Sequence, residues 1–121
     1  MLKIIACDDD VAFLDRLHRM IDRWSTETGT AVDVALVTRS EDLLARHAAS
    51  RADIILLDMI MPLVNGMDTA RELRQSDTAV RLVFLTSSPE FALESYEVRA
   101  FDYLLKPVAY ERLAQLLGEL S

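Results

Sequence analysis

The chain has little of what marks several classes of protein. Its 121 residues include one cysteine, Cys7, which excludes an internal disulfide and fits a reducing compartment such as the cytoplasm. No stretch is long and apolar enough to cross a bilayer, and the N-terminus lacks the basic-then-apolar layout of a signal peptide. There is no glycine-rich phosphate loop, so the sequence argues against a nucleotide as the ligand.

Positive charge and histidine are scarce as well. Thirteen Lys and Arg stand against 20 Asp and Glu, a formal net charge of −7, so we do not expect this chain to bind nucleic acid by itself. The two histidines, His18 and His47, fall on predicted helices, and we interpret both as solvated or packing residues. Hydrophobic residues make up 51% of the chain, which is enough for one compact domain with a core.

Strands and helices alternate five times in the predicted structure. Short apolar runs predict strands at Leu2–Cys7, Val32–Val37, Ile54–Leu57, Val80–Leu85 and Phe101–Leu105. Helical periodicity and end signals predict helices from about Asp10 to Thr28, over a short segment with Ser40 as its N-cap, and at about 67–75, 89–98 and 108–120. This alternation predicts an α/β, flavodoxin-like three-layer sandwich, with a parallel five-stranded sheet in the order 2-1-3-4-5 and five helices.

Polar side chains follow the predicted strands at their carboxyl ends. Asp8 and Asp9 leave strand one and Asp58 leaves strand three, on either side of the switch point of that strand order, while Thr86 and Lys106 leave strands four and five. Carboxylates sharing one crevice repel each other, and hard divalent cations such as Mg²⁺ prefer oxygen ligands. The sequence therefore predicts a site where a carboxylate attacks a phosphoryl group, in the presence of a divalent cation, a lysine and a hydroxyl.

This pattern resembles the response-regulator receiver domain of two-component systems, with the CheY-like form of the fold. The residues that carry the resemblance are Asp8, Asp9, Asp58, Pro62, Gly66, Thr86 and the stretch Tyr103–Pro107. The stretch from Phe84 to Pro107 is similar to the LytTR-type (LytR/AlgR-like) subgroup, whose regulators join a receiver to a DNA-binding domain built mainly of β-strands. Arg99 stands where many receivers have glycine, and LytTR-type receivers often carry a larger residue there.

The resemblance implies a role for each site residue. Asp58 would be the phosphoacceptor, taking a phosphoryl group from a sensor histidine kinase. The implied ligands of Mg²⁺ or Mn²⁺ are Asp8, Asp9, Asp58 and the backbone carbonyl of Ile60. The implied phosphoryl contacts are Thr86, Ser87 and Lys106, the switch residues are Thr86 and Tyr103, and Pro107 would follow a cis peptide bond.

The resemblance also implies an output and a domain organisation. The surface of helix four, strand five and helix five would change on phosphorylation, favouring a homodimer or contact with an output domain that controls transcription. Residues 1–121 would form one receiver domain. DNA would be reached only through a C-terminal LytTR-type domain, which we do not expect to find within this chain, and no membrane partner is implied. The chain is either a fragment of such a regulator, which we expect, or a free-standing receiver.

Each of these residues also has a plainer interpretation, and two other functions stay open. Asp10 starts a helix favourably without binding metal, and Tyr103 alone would be an ordinary strand aromatic. A haloacid-dehalogenase-like phosphatase would carry a second aspartate two residues after the nucleophile, where this chain has Ile60. An interaction module that is never phosphorylated would not need the intact acid, hydroxyl and lysine set. A receiver catalyses only its own phosphorylation and dephosphorylation, so we do not predict an enzyme acting on metabolites.

Overall fold

The computed structural model describes residues 1–121 as an α/β fold with a central parallel sheet. The strands are β1 (Leu2–Cys7), β2 (Val32–Val37), β3 (Ile54–Asp58), β4 (Ile60–Met61), β5 (Val64–Asn65), β6 (Arg81–Thr86) and β7 (Asp102–Leu105). The α-helices are α1 (Val11–Thr28), α2 (Ser40–Ala49), α3 (Gly66–Ser76) and α4 (Tyr110–Leu120). Two 3-10 segments, Pro89–Phe91 and Glu94–Val98, precede β7. None of the helices has the length and apolar character needed to span a membrane.

The strand order confirms the predicted topology. The large sheet has the order β2-β1-β3-β6-β7, and β4 and β5 form a separate two-stranded hairpin after β3. Counted without that hairpin, the order is the predicted 2-1-3-4-5. The register aligns Cys7 with Leu57 and Asp58 with Leu85, so the carboxyl ends of β1, β3 and β6 reach the same edge of the sheet.

Helices cover both faces of the sheet and divide the core in two. Ile54 and Leu56 of β3 pack with α1 and α4, whereas Ile55 and Leu57 pack with the layer that contains α2 and α3. All five residues of β3 are buried, which explains why its sequence is a continuous apolar run. Trp24 and Cys7 lie in these two clusters.

The ends of α1 follow the predicted capping, but the start of α2 does not. The Asp10 carboxylate accepts a hydrogen bond from the Phe13 N–H at 3.1 Å, and Gly29 ends the helix at φ 73°. Ser40 was predicted to be the N-cap of the second helix, and that prediction is wrong because Ser40 is its first helical residue. The Ser40 hydroxyl is buried between two helices, where it accepts a hydrogen bond from Thr69 of α3 at 3.0 Å.

The prediction of five α-helices is also wrong, since residues 89–98 form the two 3-10 segments. Only Ser95 and Val98 of the second segment are buried, so this stretch lacks the apolar face whose packing supplies most helical stability. The Ser95 hydroxyl bonds the Ala92 carbonyl at 2.6 Å, a local bond that competes with regular helix formation. Glu90, Glu94 and Glu97 add like charges at helical spacing, which disfavours an α-helix further.

Arg74 of α3 fixes the end of the second 3-10 segment. Its guanidinium donates hydrogen bonds to the carbonyls of Val98 at 2.7 Å and Arg99 at 3.1 Å. Arg99 adopts φ 53°, in the left-handed region that glycine occupies most readily. At the position where many receivers carry glycine, Arg99 therefore has a left-handed backbone conformation, and the hydrogen bonds from Arg74 help to maintain it.

Candidate functional site

Four strand ends bring the predicted site residues together. Asp8 follows β1, Asp58 ends β3, Thr86 ends β6 and Lys106 follows β7. Asp8 and Thr86 are each 1% exposed and Asp58 is 4% exposed, while Asp9 lies open to solvent at the mouth of the site. The sheet topology thus delivers two buried carboxylates, an exposed one, a hydroxyl and an ammonium to one edge.

The three carboxylates are close enough to share a ligand. One oxygen from each of Asp8, Asp9 and Asp58 lies within 4.8 Å of the others. Asp8 has partners for both of its oxygens, because it accepts the Asp10 N–H at 2.9 Å and the Lys106 ammonium at 2.6 Å. Asp58 has only a long hydrogen bond from the Ile60 N–H at 3.3 Å, and Lys106 Nζ stands 3.8 Å from its Oδ1.

The surroundings of Asp58 make it an unusual carboxylate. Burial raises the pKa of Asp58 to about 7, and the negative charge of Asp8 acts in the same direction. The Lys106 ammonium and the Ile60 N–H oppose this rise in pKa without cancelling it. Near neutral pH the side chain is therefore divided between its acid and its carboxylate, and an added positive charge would favour the carboxylate.

The donor set fits a hard divalent cation. Asp8, Asp9 and Asp58 supply oxygen ligands at a spacing that one ion can bridge, which suits Mg²⁺ or Mn²⁺ and gives no soft sulfur or imidazole ligand. Ile60 begins the β4–β5 hairpin directly beyond Asp58, so its backbone borders the same cluster.

Gly66 is a site residue whose role the sequence did not reveal. A Cβ atom at this position would stand 2.6 Å from the Asp58 carbonyl oxygen and 2.8 Å from the Met59 Cα. The Gly66 N–H donates a hydrogen bond to the Met59 carbonyl at 2.7 Å. The start of α3 therefore packs directly against the backbone that carries Asp58, and any larger residue would push that backbone away. The Asn65-Gly66 pair marks a turn in the sequence, but nothing in it indicates this close approach.

Lys106 is held from several sides. Its backbone N–H donates to the Thr86 carbonyl at 2.8 Å, and the peptide bond to Pro107 is cis. Its ammonium lies 4.2 Å from the centroid of the Phe13 ring on α1. The sequence gives no sign of this role for Phe13, because a buried aromatic on the first turn of an amphipathic helix is usually a core residue.

The family model of the response regulator receiver domain matches residues 4–118. The chain belongs to this family. The fold, the strand order and the resemblance predicted from the acidic and lysine positions agree with that membership.

The relatives of this receiver include a sensory transduction protein and a regulatory protein. It is 33% identical over 117 residues to sensory transduction protein LytT of Bacillus cereus, covering 97% of this chain and 46% of the relative. It is 32% identical over 120 residues to the positive alginate biosynthesis regulatory protein of Pseudomonas aeruginosa, covering 99% and 47%. The chain spans about half the length of these curated relatives. They confirm the similarity to the LytTR-type subgroup.

Two solved structures are similar to the receiver over nearly its whole length. The response regulatory domain of protein mrkE from Klebsiella pneumoniae has a TM-score of 0.84 and 28% identity, covering 98% of this chain and 94% of that chain. The chemotaxis response regulator CheY4 of Vibrio cholerae has a TM-score of 0.78 and 26% identity, covering 100% and 99%.

In this receiver Ser88 connects Thr86 with Tyr103. The Thr86 hydroxyl oxygen accepts a hydrogen bond from the Ser88 N–H at 3.3 Å, and the Tyr103 hydroxyl donates to the Ser88 carbonyl. Tyr103 is partly buried, and its hydroxyl is engaged by the Ser88 carbonyl. Ser87 is exposed and lines a groove of about 700 Å³ together with Lys106.

A third buried carboxylate lies at the opposite edge of the sheet. Asp77 follows α3, before β6 begins, and is 6% exposed. It accepts hydrogen bonds from the N–H groups of Ala79 at 2.8 Å and Val80 at 3.0 Å, and it contacts His47 Nε2 at 2.8 Å. Burial opposes its ionisation, but these hydrogen bonds and the Arg51 guanidinium outweigh burial and lower the pKa of Asp77 to about 2.

Proposed function

We propose that this receiver accepts a phosphoryl group on Asp58 from a phosphohistidine of a sensor histidine kinase, in a Mg²⁺-dependent reaction. The observation that carries the proposal is the meeting of Asp8, Asp9, Asp58 and Lys106 at one sheet edge, with Asp58 the buried carboxylate that accepts the fewest hydrogen bonds. The receiver would catalyse only its own phosphorylation and dephosphorylation, and we do not propose an enzyme that acts on metabolites.

The proposed transfer is a single displacement at phosphorus. A carboxylate oxygen of Asp58 attacks, an O–P bond forms, and the P–N bond to the donor imidazole breaks. The electron pair of that P–N bond stays on the imidazole nitrogen, which then takes a proton from solvent. Because the phosphoryl group carries its charge on three equatorial oxygens, catalysis consists mainly of positioning and neutralising those oxygens.

The proposed roles of the other residues follow from where they lie. Asp8, Asp9, Asp58 and the Ile60 carbonyl would hold Mg²⁺, which supplies neutralising charge when bound. Lys106 already stands 3.8 Å from Asp58 and would contact the phosphoryl oxygens. The Thr86 and Ser87 hydroxyls, at the end of β6, would donate hydrogen bonds to them.

The proposed signal passes through Ser88. If Thr86 turns to the phosphoryl group, its oxygen leaves the Ser88 N–H, and the loop that holds the Tyr103 hydroxyl is released. Tyr103 can then turn inward into the space that Thr86 leaves. This change would alter the surface formed by residues 89–98, β7 and α4.

That surface suits a protein partner. Four large hydrophobic side chains on or beside it are exposed, namely Leu93, Tyr96, Phe101 and Leu105. Exposed apolar residues clustered on one face favour association, so we propose that phosphorylation promotes a homodimer or contact with an output domain. In the longer regulators that the chain resembles, that domain would bind DNA and control transcription in the cytoplasm.

Intact-mass spectrometry after incubation with acetyl phosphate tests the proposal. We expect one added phosphoryl group that requires Mg²⁺ and is absent from Asp58→Asn. Asp77→Asn, assayed at low temperature, is the matched control because it also changes a buried aspartate and should be labelled like the wild type. Labelling of Asp58→Asn would exclude Asp58 as the acceptor. No adduct on the wild type would instead favour an interaction module that is not phosphorylated.

A further inference from the structure

We infer that Phe13 is a positioning residue that holds the Lys106 ammonium beside Asp58 for phosphoryl transfer. This inference rests on the proposed function. Phe13 is only 6% exposed and stands on the first turn of α1, and its ring centroid is 4.2 Å from Lys106 Nζ. The contact is close enough for the ring face to attract the ammonium.

Phe13 belongs to a closed circuit of contacts around the acid cluster. The Asp8 carboxylate accepts the Asp10 N–H at 2.9 Å, and the Asp10 carboxylate accepts the Phe13 N–H at 3.1 Å. The Phe13 ring meets Lys106, whose ammonium returns to the other oxygen of Asp8 at 2.6 Å. The position of the ring is thus fixed by the same residues that build the site.

The ring and the Asp8 carboxylate hold the ammonium in different ways. Asp8 is one of the three candidate metal ligands, so its oxygens serve both Lys106 and a cation. Phe13 offers no metal ligand, and its attraction for the ammonium does not compete with a bound ion. A lysine side chain has a flexible four-carbon stem, so a second contact that restrains its direction reduces the number of arrangements that miss Asp58.

Phosphorylation kinetics of Phe13 variants test the inference. Phe13→Leu removes the ring but keeps an apolar side chain, and we expect its rate constant for acetyl phosphate with Mg²⁺ to fall about tenfold, equivalent to about 1.4 kcal/mol. Phe13→Tyr keeps a ring face, and Phe13 lines a groove of about 700 Å³, so we expect this variant to retain most of the rate. Melting curves for each variant identify the temperature at which all are folded.

The Lys106→Met background separates positioning from packing. There Phe13→Leu should change the rate less than about twofold, because no ammonium remains to be positioned. An equal loss in both backgrounds would show a packing role only and overturn the inference. So would a wild-type rate in Phe13→Leu.

A proton NMR measurement checks the contact without activity. The Lys106 methylene protons next to the ammonium should be shifted upfield by the aromatic ring in the wild type and in Phe13→Tyr, and should return to ordinary positions in Phe13→Leu. Unshifted wild-type resonances would overturn the inference. A wild-type chain that takes no phosphoryl group would overturn the proposed function and this role together, whereas a labelled wild type with an equally fast Phe13→Leu overturns only the role of Phe13.

Discussion

Two buried aspartates at opposite edges of the same sheet differ in the hydrogen bonds that stabilise their negative charge. Asp77 accepts two short backbone hydrogen bonds and faces His47, and its pKa is lowered to about 2. Asp58 accepts one long hydrogen bond, and burial together with the charge of Asp8 raises its pKa to about 7. Low exposure of both side chains therefore does not mean equal chemistry, because depth of burial, neighbouring charges and hydrogen-bond donors together decide which form of a carboxyl group is favoured.

His47 is one of the hydrogen-bond donors that stabilise the negative charge of Asp77. Its Nδ1 accepts the Ala52 N–H at 3.0 Å, so the ring proton lies on Nε2 and is donated to Asp77. The end of α2, the chain before β3 and the end of α3 are joined through these two side chains. At the other edge the Asp58 carboxylate accepts only one long hydrogen bond, so its oxygens are available to a cation and a phosphoryl group. Asp77 and its hydrogen bonds therefore stabilise the fold at one edge, and the proposed phosphoryl transfer takes place at the other.

Removing the carboxylate at the stable edge should have the largest effect. Asp77→Ala leaves two backbone N–H groups and His47 without their acceptor, so we expect a loss of about 3 kcal/mol in the free energy of unfolding, measured by urea denaturation. Asp33→Ala on β2 is the control, because Asp33 is exposed and should change stability by less than about 0.5 kcal/mol. If the two variants lose the same amount, Asp77 does not stabilise the fold as described.

Asp58→Asn should have a smaller effect of the opposite sign. The folded pKa of Asp58 is above the ordinary value, so the native state binds the extra proton and this group's contribution to stability is lost as pH rises from about 4 to about 7. Three pKa units correspond to at most about 4 kcal/mol, and relaxation should leave a gain on the order of 2 kcal/mol for the variant at pH 8 without metal. Denaturation curves at pH 5 and pH 8 measure it. An Asp58→Asn chain less stable than the wild type at pH 8 would contradict the picture of a repelling cluster.

The effect of Mg²⁺ should be the smallest of the three. At a concentration about five times its Kd, we expect Mg²⁺ to stabilise the wild type by about 1 kcal/mol at pH 8. Its apparent affinity should be weaker at pH 6, because the ion must displace the proton held by Asp58. Melting temperatures with and without Mg²⁺ report this, with Asp9→Asn expected to lose the shift and Asp77→Asn to keep it. A shift that survives in Asp9→Asn would place the ion elsewhere.

Much of the fold and the grouping of site residues could be predicted from the sequence because both depend on strong, local patterns. The run from Ile54 to Leu57 is apolar without a break, which a strand covered on both faces requires, and it ends on Asp58. Once the strand order followed from the alternation of elements, the carboxyl ends of strands one and three had to meet. The predicted meeting of Asp8, Asp9 and Asp58 at one edge needed no knowledge of side-chain packing.

The rest depended on contacts that the sequence does not encode locally. Residues 89–98 contain good helix formers after a proline, yet no apolar face anchors them, and 3-10 turns form instead. The close approach of Gly66 to the Asp58 backbone and the contact of Phe13 with Lys106 join distant parts of the chain. The sequence indicates a solvated or packing role for His47, and nothing in it points to the partner Asp77, which lies 30 residues away.

The most direct test of the contrast between the two edges is a carbon NMR titration of the aspartate carboxyl groups in the metal-free protein. Asp58→Asn and Asp77→Asn assign the two resonances. We predict a midpoint of about 7 for Asp58 and about 2 for Asp77. Midpoints near 4 for both residues would contradict the account, since the edge that we describe as reactive would then be electrostatically no different from the edge that stabilises the fold.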